Sequence, residues 1–315
     1  MKEHLNLLGR QKTPFLFILD FDKQNPLVYT LDDKNCPLFN IDGKTNFMQK
    51  TLHQTHRIIS KQPISFNEYK GKFNKAIDEI TRGNSYMLNL TSQTKIYIDC
   101  SLEDIFYASG ASFKLLLPDY FVVFSPERFV KIEDNQIRTF PMKGTAKADE
   151  ESLLALKKSA KERAEHTMVV DLLRNDLSIV ASSVKVESFR EYIKIQAGAN
   201  ELYQSVSTIC GNLDAEWSSR IGDILYALLP AGSISGTPKK KTVEIIKNIE
   251  GYERGYFTGI FGYFDGKILD SAVMIRFIEK TSDGYIYKSG GGITIDSDAV
   301  SEYEEMLEKV YIPSI

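Results

Sequence analysis

The sequence predicts an α+β fold in one domain spanning residues 1–315, and three observations carry that expectation. Short apolar runs follow one another between turn signals at 113–140, 184–209 and 257–288, as in antiparallel meanders. Segments of helical period lie between these groups and do not alternate with single strands. No repeat or low-complexity linker divides the 315 residues.

Residues 15–21 are a compact apolar run and predict a buried strand. From there to about residue 61 the chain reads as irregular and polar, with turn signals at Asp32-Asp33 and Asp42-Gly43. Phe66, Tyr69, Phe73, Ile77 and Ile80 recur every three or four residues, which predicts an amphipathic helix ending at Gly83. Residues 86–98 alternate like a strand. Several strands are expected over 113–140, broken at Pro118-Asp119, Ser125-Pro126 and Asp134-Asn135. Residues 149–181 are charged and helical, 184–209 return to strands, and 214–229 are helical. Thr237-Pro238 reads as an N-cap followed by proline at the first position of a helix to about 250. Strands are expected at 257–264, 269–278 and 285–288, and a last helix at 300–311.

Composition narrows the function classes. A net charge of −3, with 43% hydrophobic and 26% charged residues, describes a globular protein without the basic footprint of a nucleic-acid binder. No apolar run is long enough to cross a membrane, and residues 1–12 lack the core of a signal peptide. Three scattered cysteines suit a reducing cytoplasm,. With four histidines and no CxxC, a bound metal is expected to be hard and oxygen-ligated, magnesium first.

Several constellations can carry chemistry. Gly232-Ser233-Ile234-Ser235-Gly236 and Gly290-Gly291-Gly292 read as glycine-rich turns whose N–H groups can face an anion. Glu162 with Glu165, and Glu302 with Glu305, each share a helical face: two solvated faces, or two carboxylate pairs meeting across a cleft around one Mg²⁺. Lys143, beside Gly144 and Thr145, is a surface lysine or a nucleophile. Glu127, between apolar strands, pairs with Arg128 or stays protonated as a general acid. Arg276 ends a strand as a salt-bridge partner or a carboxylate clamp. Asp171 to Asp176 reads as a helix-end charge network. Within Lys239-Lys240-Lys241, positive charge at a helix start hints that one lysine serves an anion. The spacing around residues 232–241 is not that of a phosphate-binding P-loop.

Taken in order, these motifs resemble the chorismate-utilising enzymes, among them anthranilate synthase component I, aminodeoxychorismate synthase component I and the isochorismate and salicylate synthases. The likeness is carried by Ser125 to Arg128, Pro141 to Thr145, Glu165-His166 through Asp176, Gly232 to Lys239, Arg254-Gly255, Thr258-Gly259, Asp270 to Arg276, Gly290 to Ile293, and Glu302 to Lys309. It covers about 66–311 and leaves a shortened N-terminal segment, 1–65, without the Leu-Leu-Glu-Ser tryptophan-binding motif. The resemblance implies antiparallel sheets packed face to face with helices outside.

Within the family Lys143 discriminates. Anthranilate synthases carry alanine there, and aminodeoxychorismate synthases carry lysine. The water-activating lysine of the isochorismate branch falls at about Met87, a thioether that cannot act as a base. The resemblance therefore implies attack of Lys143 on C2 of chorismate, protonation of the departing C4 hydroxyl by Glu127, and addition of ammonia at C4. It assigns Mg²⁺ to Glu165 and Glu305, supported by Glu162 and Glu302. Gly144, Thr145, Ser235, Gly290, Gly292 and Lys309 would form the anion pocket, and Arg276 would take the enolpyruvyl carboxylate. Ammonia would come from a separate glutamine amidotransferase, since no Gly-x-Cys-x-Gly elbow is present. Anthranilate synthase component I and a non-catalytic chorismate-binding relative are the alternatives. Two departures stand out: Gln204 replaces a common histidine, and Phe257 replaces a carboxylate-binding tyrosine unless Tyr256 takes its place.

Overall fold

Phe15–Leu19 forms β1, buried along its whole length. The computed structural model describes residues 1–50, 58–197 and 200–312. Parts of the predicted irregular N-terminal stretch (51–57), of the strand region at 184–209 (198–199) and of the chain end (313–315) lie outside the described residues.

Helix α1 (Lys2–Arg10) precedes β1, and β2 (Leu27–Thr30), β3 (Leu38–Ile41), β4 (Lys44–Thr45) and β5 (Ile58–Gln62) follow it. Next come α2 (Phe66–Thr81), β6 (Met87–Ile98), α3 (Leu102–Ala108), β7 (Phe113–Leu117), β8 (Phe121–Ser125), β9 (Arg128–Glu133), β10 (Gln136–Thr139) and β11 (Met142–Lys147). Helices α4 (Glu150–Lys158) and α5 (Ala160–Leu177) lead to the long hairpin β12 (Ser182–Ala197) and β13 (Asn200–Asn212). The chain ends with α6 (Ile221–Leu228), β14 (Gly236–Thr237), α7 (Lys239–Glu250), β15 (Ile260–Phe264), β16 (Leu269–Val273), β17 (Phe277–Thr281), β18 (Gly284–Ile293) and α8 (Ala299–Glu308).

The strands make two antiparallel sheets. The first runs β11-β13-β10-β9-β16-β15-β1-β2, with β12 on β13; the second runs β14-β6-β18-β17-β8-β7-β3-β4, with β5 on β6. Strand periodicity explains how they stack. Leu16 and Ile18 of β1 join Phe39, Phe113, Leu115, Val123, Phe261 and Phe277 in a core drawn from both sheets. Phe15, Phe17 and Leu19 point the other way, into a core shared with α5 and α6. Helices α2, α7 and α8 cover β6 and β18 through Tyr69, Phe73, Ile245, Ile246 and Met306. The expected sandwich with helices outside is what forms. No helix among the described residues is long and apolar enough to cross a membrane.

The structure corrects the sequence reading in five places. The N-terminal stretch carries α1 and β2 to β5 and is not irregular. These elements are short, and β2 is only half-buried, so their apolar pattern is weak. A further helix, α3, stands between the predicted strands, fixed by a capping box from Ser101 and Asp104,. Thr237 is not the cap of α7: it pairs with Met87 in β14, and Pro238 takes the N-cap. The expected strand at 269–278 is broken after Val273, where the chain passes from β16 in the first sheet to β17 in the second, and Arg276 takes a φ of 55° at the crossing,. Finally, Gly290, Gly291 and Gly292 are no turn. They lie in β18 opposite Thr91, Leu90 and Asn89.

Close approach of strands explains the glycine at 290, where a Cβ would come within 2.2 Å of the Leu90 carbonyl oxygen. Gly290→Ala therefore forces backbone apart. It is expected to cost about 1–3 kcal/mol of stability, read as a lower urea midpoint at unchanged slope.

Candidate active site

Lys143 bridges the two sheets. It stands on β11 of the first sheet, and its Nζ lies 3.9 Å from Glu165 Oε2 on α5. A Cβ built on Gly292, in β18 of the second sheet, would sit 3.8 Å from that nitrogen. Met87 Sδ approaches the same point to 3.7 Å. The absence of a side chain at Gly292 thus leaves the space in front of the lysine.

The glutamate pairs converge on this space. A Cβ at Gly291 would lie 3.1 Å from Glu302 Oε2, 3.6 Å from Lys309 Nζ and 3.7 Å from Glu305 Oε1. One at Gly144 would lie 2.7 Å from Glu162 Oε2. Glu162, Glu165 and Glu302 are half-buried while Glu305 is exposed, so each pair has at least one carboxylate drawn in from solvent. Burial pushes the Glu302 carboxyl above its ordinary value and the neighbouring Glu305 charge adds to this, against the hydrogen bond from Ser297 and the Lys309 and Lys143 charges. Burial also acts on Glu305, but Lys309, Lys143 and Arg276 outweigh it and hold that carboxyl below its usual range. Lys309 contacts Glu305 at 2.6 Å and donates to the Gly290 carbonyl at 2.8 Å. Its ammonium is pushed down, by burial first and then by the Arg276 and Lys143 charges, with Glu305 opposing.

Glu127 sits where the chain passes from β8 to β9, that is, from one sheet to the other. It does not pair with Arg128, which is held by Asp270 and Asp42. Its carboxylate instead accepts a short hydrogen bond from the Ser233 hydroxyl. Burial raises the Glu127 carboxyl above its ordinary value, against the pull of Ser233 and of the Lys143, Arg276 and Lys309 charges,. Arg276 makes no ion pair among the described residues; its guanidinium lies 5.5 Å from the centre of the Tyr311 ring. Its Nε donates to the Tyr311 hydroxyl at 3.3 Å, which leaves the two terminal nitrogens for a carboxylate,.

Other expected groups fall outside. Ser235 is fully buried and donates to the Ala231 carbonyl, so Ser233 is the hydroxyl aimed at the site. Only the side-chain directions in this tight turn separate the two serines, and spacing does not show them. Thr145 is exposed, one residue beyond the Gly144 turn. Phe257 belongs to the core between the sheets, and Tyr256 donates to the Asn25 carbonyl, so neither presents a hydroxyl to the cluster. Lys239 serves an anion, but that anion is Asp176 of the chain, at 2.9 Å. Asp171 and Arg174 pair at 2.6 Å, as a helix-end network should. A cavity of about 500 Å³ lies beside the site, lined by Tyr86, Met168, Asp171, Leu172 and Thr237, among others. No predicted site residue lines it.

The chain matches the profile of the chorismate binding enzymes over residues 19–313. It belongs to that family. The match to this chorismate-binding family begins well before the first of the quoted motifs, near β1. A PabA-like protein of Haemophilus influenzae is 48% identical over 318 residues, 99% of this chain and 95% of its own. Aminodeoxychorismate synthase component 1 of Salmonella typhimurium is 35% identical over 260 residues, 77% of this chain. The match spans 56% of the Salmonella protein. The crystal structure of anthranilate synthase component I from Streptococcus pneumoniae superposes with a TM-score of 0.68 at 28% identity, over 80% of this chain and 58% of that one.

The four glutamates suit the expected Mg²⁺. Among the described residues no three carboxylate, histidine or cysteine side chains form a ready metal shell. A hard cation that keeps several waters needs only one or two carboxylates together with oxygens of an anionic substrate. Such a charge would relieve the crowding of Glu302 by Glu305.

Proposed function

We propose that this chain is an aminodeoxychorismate synthase component I, converting chorismate and ammonia to 4-amino-4-deoxychorismate. The observation that supports it most is the placing of Lys143 Nζ beside Glu165 and in front of Gly292, with Glu127 near enough for the lysine charge to act on it. Lys143 attacks C2 of the ring. The double bonds shift, the C4–O bond breaks, and Glu127 supplies the proton with which the hydroxyl leaves as water. Ammonia adds at C4, the bonds shift back, Lys143 is expelled as the amine with the enolpyruvyl ether intact, and the proton shed by the added nitrogen returns to Glu127. One difficult displacement becomes two easier steps. Arg276 and Lys309 hold carboxylates of the substrate, and Glu162, Glu165, Glu302 and Glu305 would hold Mg²⁺. The ion, when bound, neutralises the ring carboxylate. Ammonia comes from a separate glutamine amidotransferase, and the product feeds 4-aminobenzoate formation for folate synthesis.

Incubation with chorismate, Mg²⁺ and an ammonium salt is expected to give a product that gains an amine in place of a hydroxyl and keeps the enolpyruvyl group, read by mass spectrometry. Anthranilate with pyruvate would replace this reading by anthranilate synthesis. No turnover even with a glutaminase supplied would favour a binding role. Chelation of Mg²⁺ is expected to stop the reaction. Glu165→Gln is expected to raise the Mg²⁺ concentration for half-maximal rate by about tenfold or more, as loss of one carboxylate ligand should.

A further inference from the structure

Strand β11 loses register with β13 between Met142 and Thr145. Gly144, with φ of 86°, makes the kink. A bulge of this kind takes backbone groups out of the ladder and re-aims the side chains beside it. The carbonyls of Lys143 and Gly144 both find side-chain partners. His166 Nδ1 lies 3.3 Å from the Lys143 oxygen, and Gln204 Nε2 donates to the Gly144 oxygen at 3.1 Å.

The proton positions follow from the partners. A carbonyl only accepts, so His166 Nδ1 carries the hydrogen. Burial favours the neutral imidazole, whose Nε2 is then the acceptor, so Ser207 Oγ donates to it at 2.6 Å while accepting from the Arg190 N–H at 2.9 Å,. Arg190 itself lies at φ of 54°, in a second register shift, between Ser188 and Glu191 of β12. One directed chain therefore links the two irregular strands: Arg190 N–H to Ser207, Ser207 O–H to His166, His166 N–H to the Lys143 carbonyl. His166 is wholly buried on α5, one residue from Glu165.

The geometry points to His166 and Gln204 as positioning residues that hold the β11 bulge and thereby aim the Lys143 side chain across to the second sheet. The kinetic part of this inference rests on the proposed function, whereas the part concerning the lysine's direction does not. A nucleophile set by locked neighbours loses rate when they loosen, because small misplacements are costly.

The test uses His166→Ala, His166→Asn and Gln204→Ala, since an asparagine amide can keep the donor to the Lys143 carbonyl. Two readouts are taken: kcat and KM for chorismate, and the acetylation rate of Lys143 relative to exposed Lys147 under limiting reagent, by mass spectrometry. In His166→Ala, kcat is expected to fall about ten- to a hundredfold with KM within about twofold, and the acetylation ratio to move at least about threefold. His166→Asn is expected to restore most of both, and Gln204→Ala to move both in the same direction without unfolding the chain. If the parent makes no product, the acetylation ratio still decides. A ratio unchanged in Gln204→Ala and in whichever His166 variant folds overturns the proposal, as does an asparagine variant no better than alanine.

Discussion

Lys143→Ala is expected to lower kcat for amination of chorismate at least about a thousandfold while the protein stays folded, as removal of a covalent nucleophile does. The lysine is half-buried and its only ion pair among the described residues, to Glu165, is long at 3.9 Å. Pairs of that exposure contribute about 0–1 kcal/mol, so the urea midpoint should hardly move. Chorismate binding should survive better than turnover, because Arg276 and Lys309 remain to hold carboxylates. The measurement is single-turnover mass spectrometry beside a denaturation curve. A variant that retains more than about a tenth of the parent rate would remove the covalent step and leave direct addition of ammonia.

How much of this site could be read from residue order depends on the kind of information each residue carries. The helices with Glu162, Glu165, Glu302 and Glu305 repeat at helical spacing, and so did their shared faces. Leu16 and Ile18 facing one core, and Phe15, Phe17 and Leu19 the other, follow from the period of a strand. Gly290 to Gly292 did not follow. A glycine run is equally at home in a turn and in a strand that must approach its neighbour, and only the pairing with Thr91, Leu90 and Asn89 decides. The hydrogen bonds of Ser233, His166 and Gln204 join positions tens of residues apart or more. No local pattern encodes such contacts. Arg276 was expected to close a strand, but that strand ends at Val273 and Arg276 stands in the connection before β17, and its left-handed backbone leaves no trace in composition.

Glu127→Gln is the second large effect, and pH gives it a sign. The glutamine keeps the shape and can still accept from Ser233, yet it has no proton to give. Loss of a general acid is expected to reduce kcat by about 10²–10⁴-fold. In the parent, burial raises this carboxyl despite Ser233 and the three nearby cations, so the acid form persists above the ordinary glutamate range. The rate should fall as pH rises through that raised value, and the fall should be missing from the residual activity of the variant. Stability carries the same signature. A carboxyl whose folded value exceeds its unfolded one holds more protons in the native state between the two. Native stability therefore drops as pH climbs from the ordinary carboxyl range through the raised folded value. Glu127→Gln removes that drop, so the variant should equal or exceed the parent in stability at neutral pH while matching or falling below it in acid. Urea titrations at several pH values read this directly. A parent curve that gains stability across the same window would show Glu127 ionised by its cationic neighbours, and would take the acid role away from it.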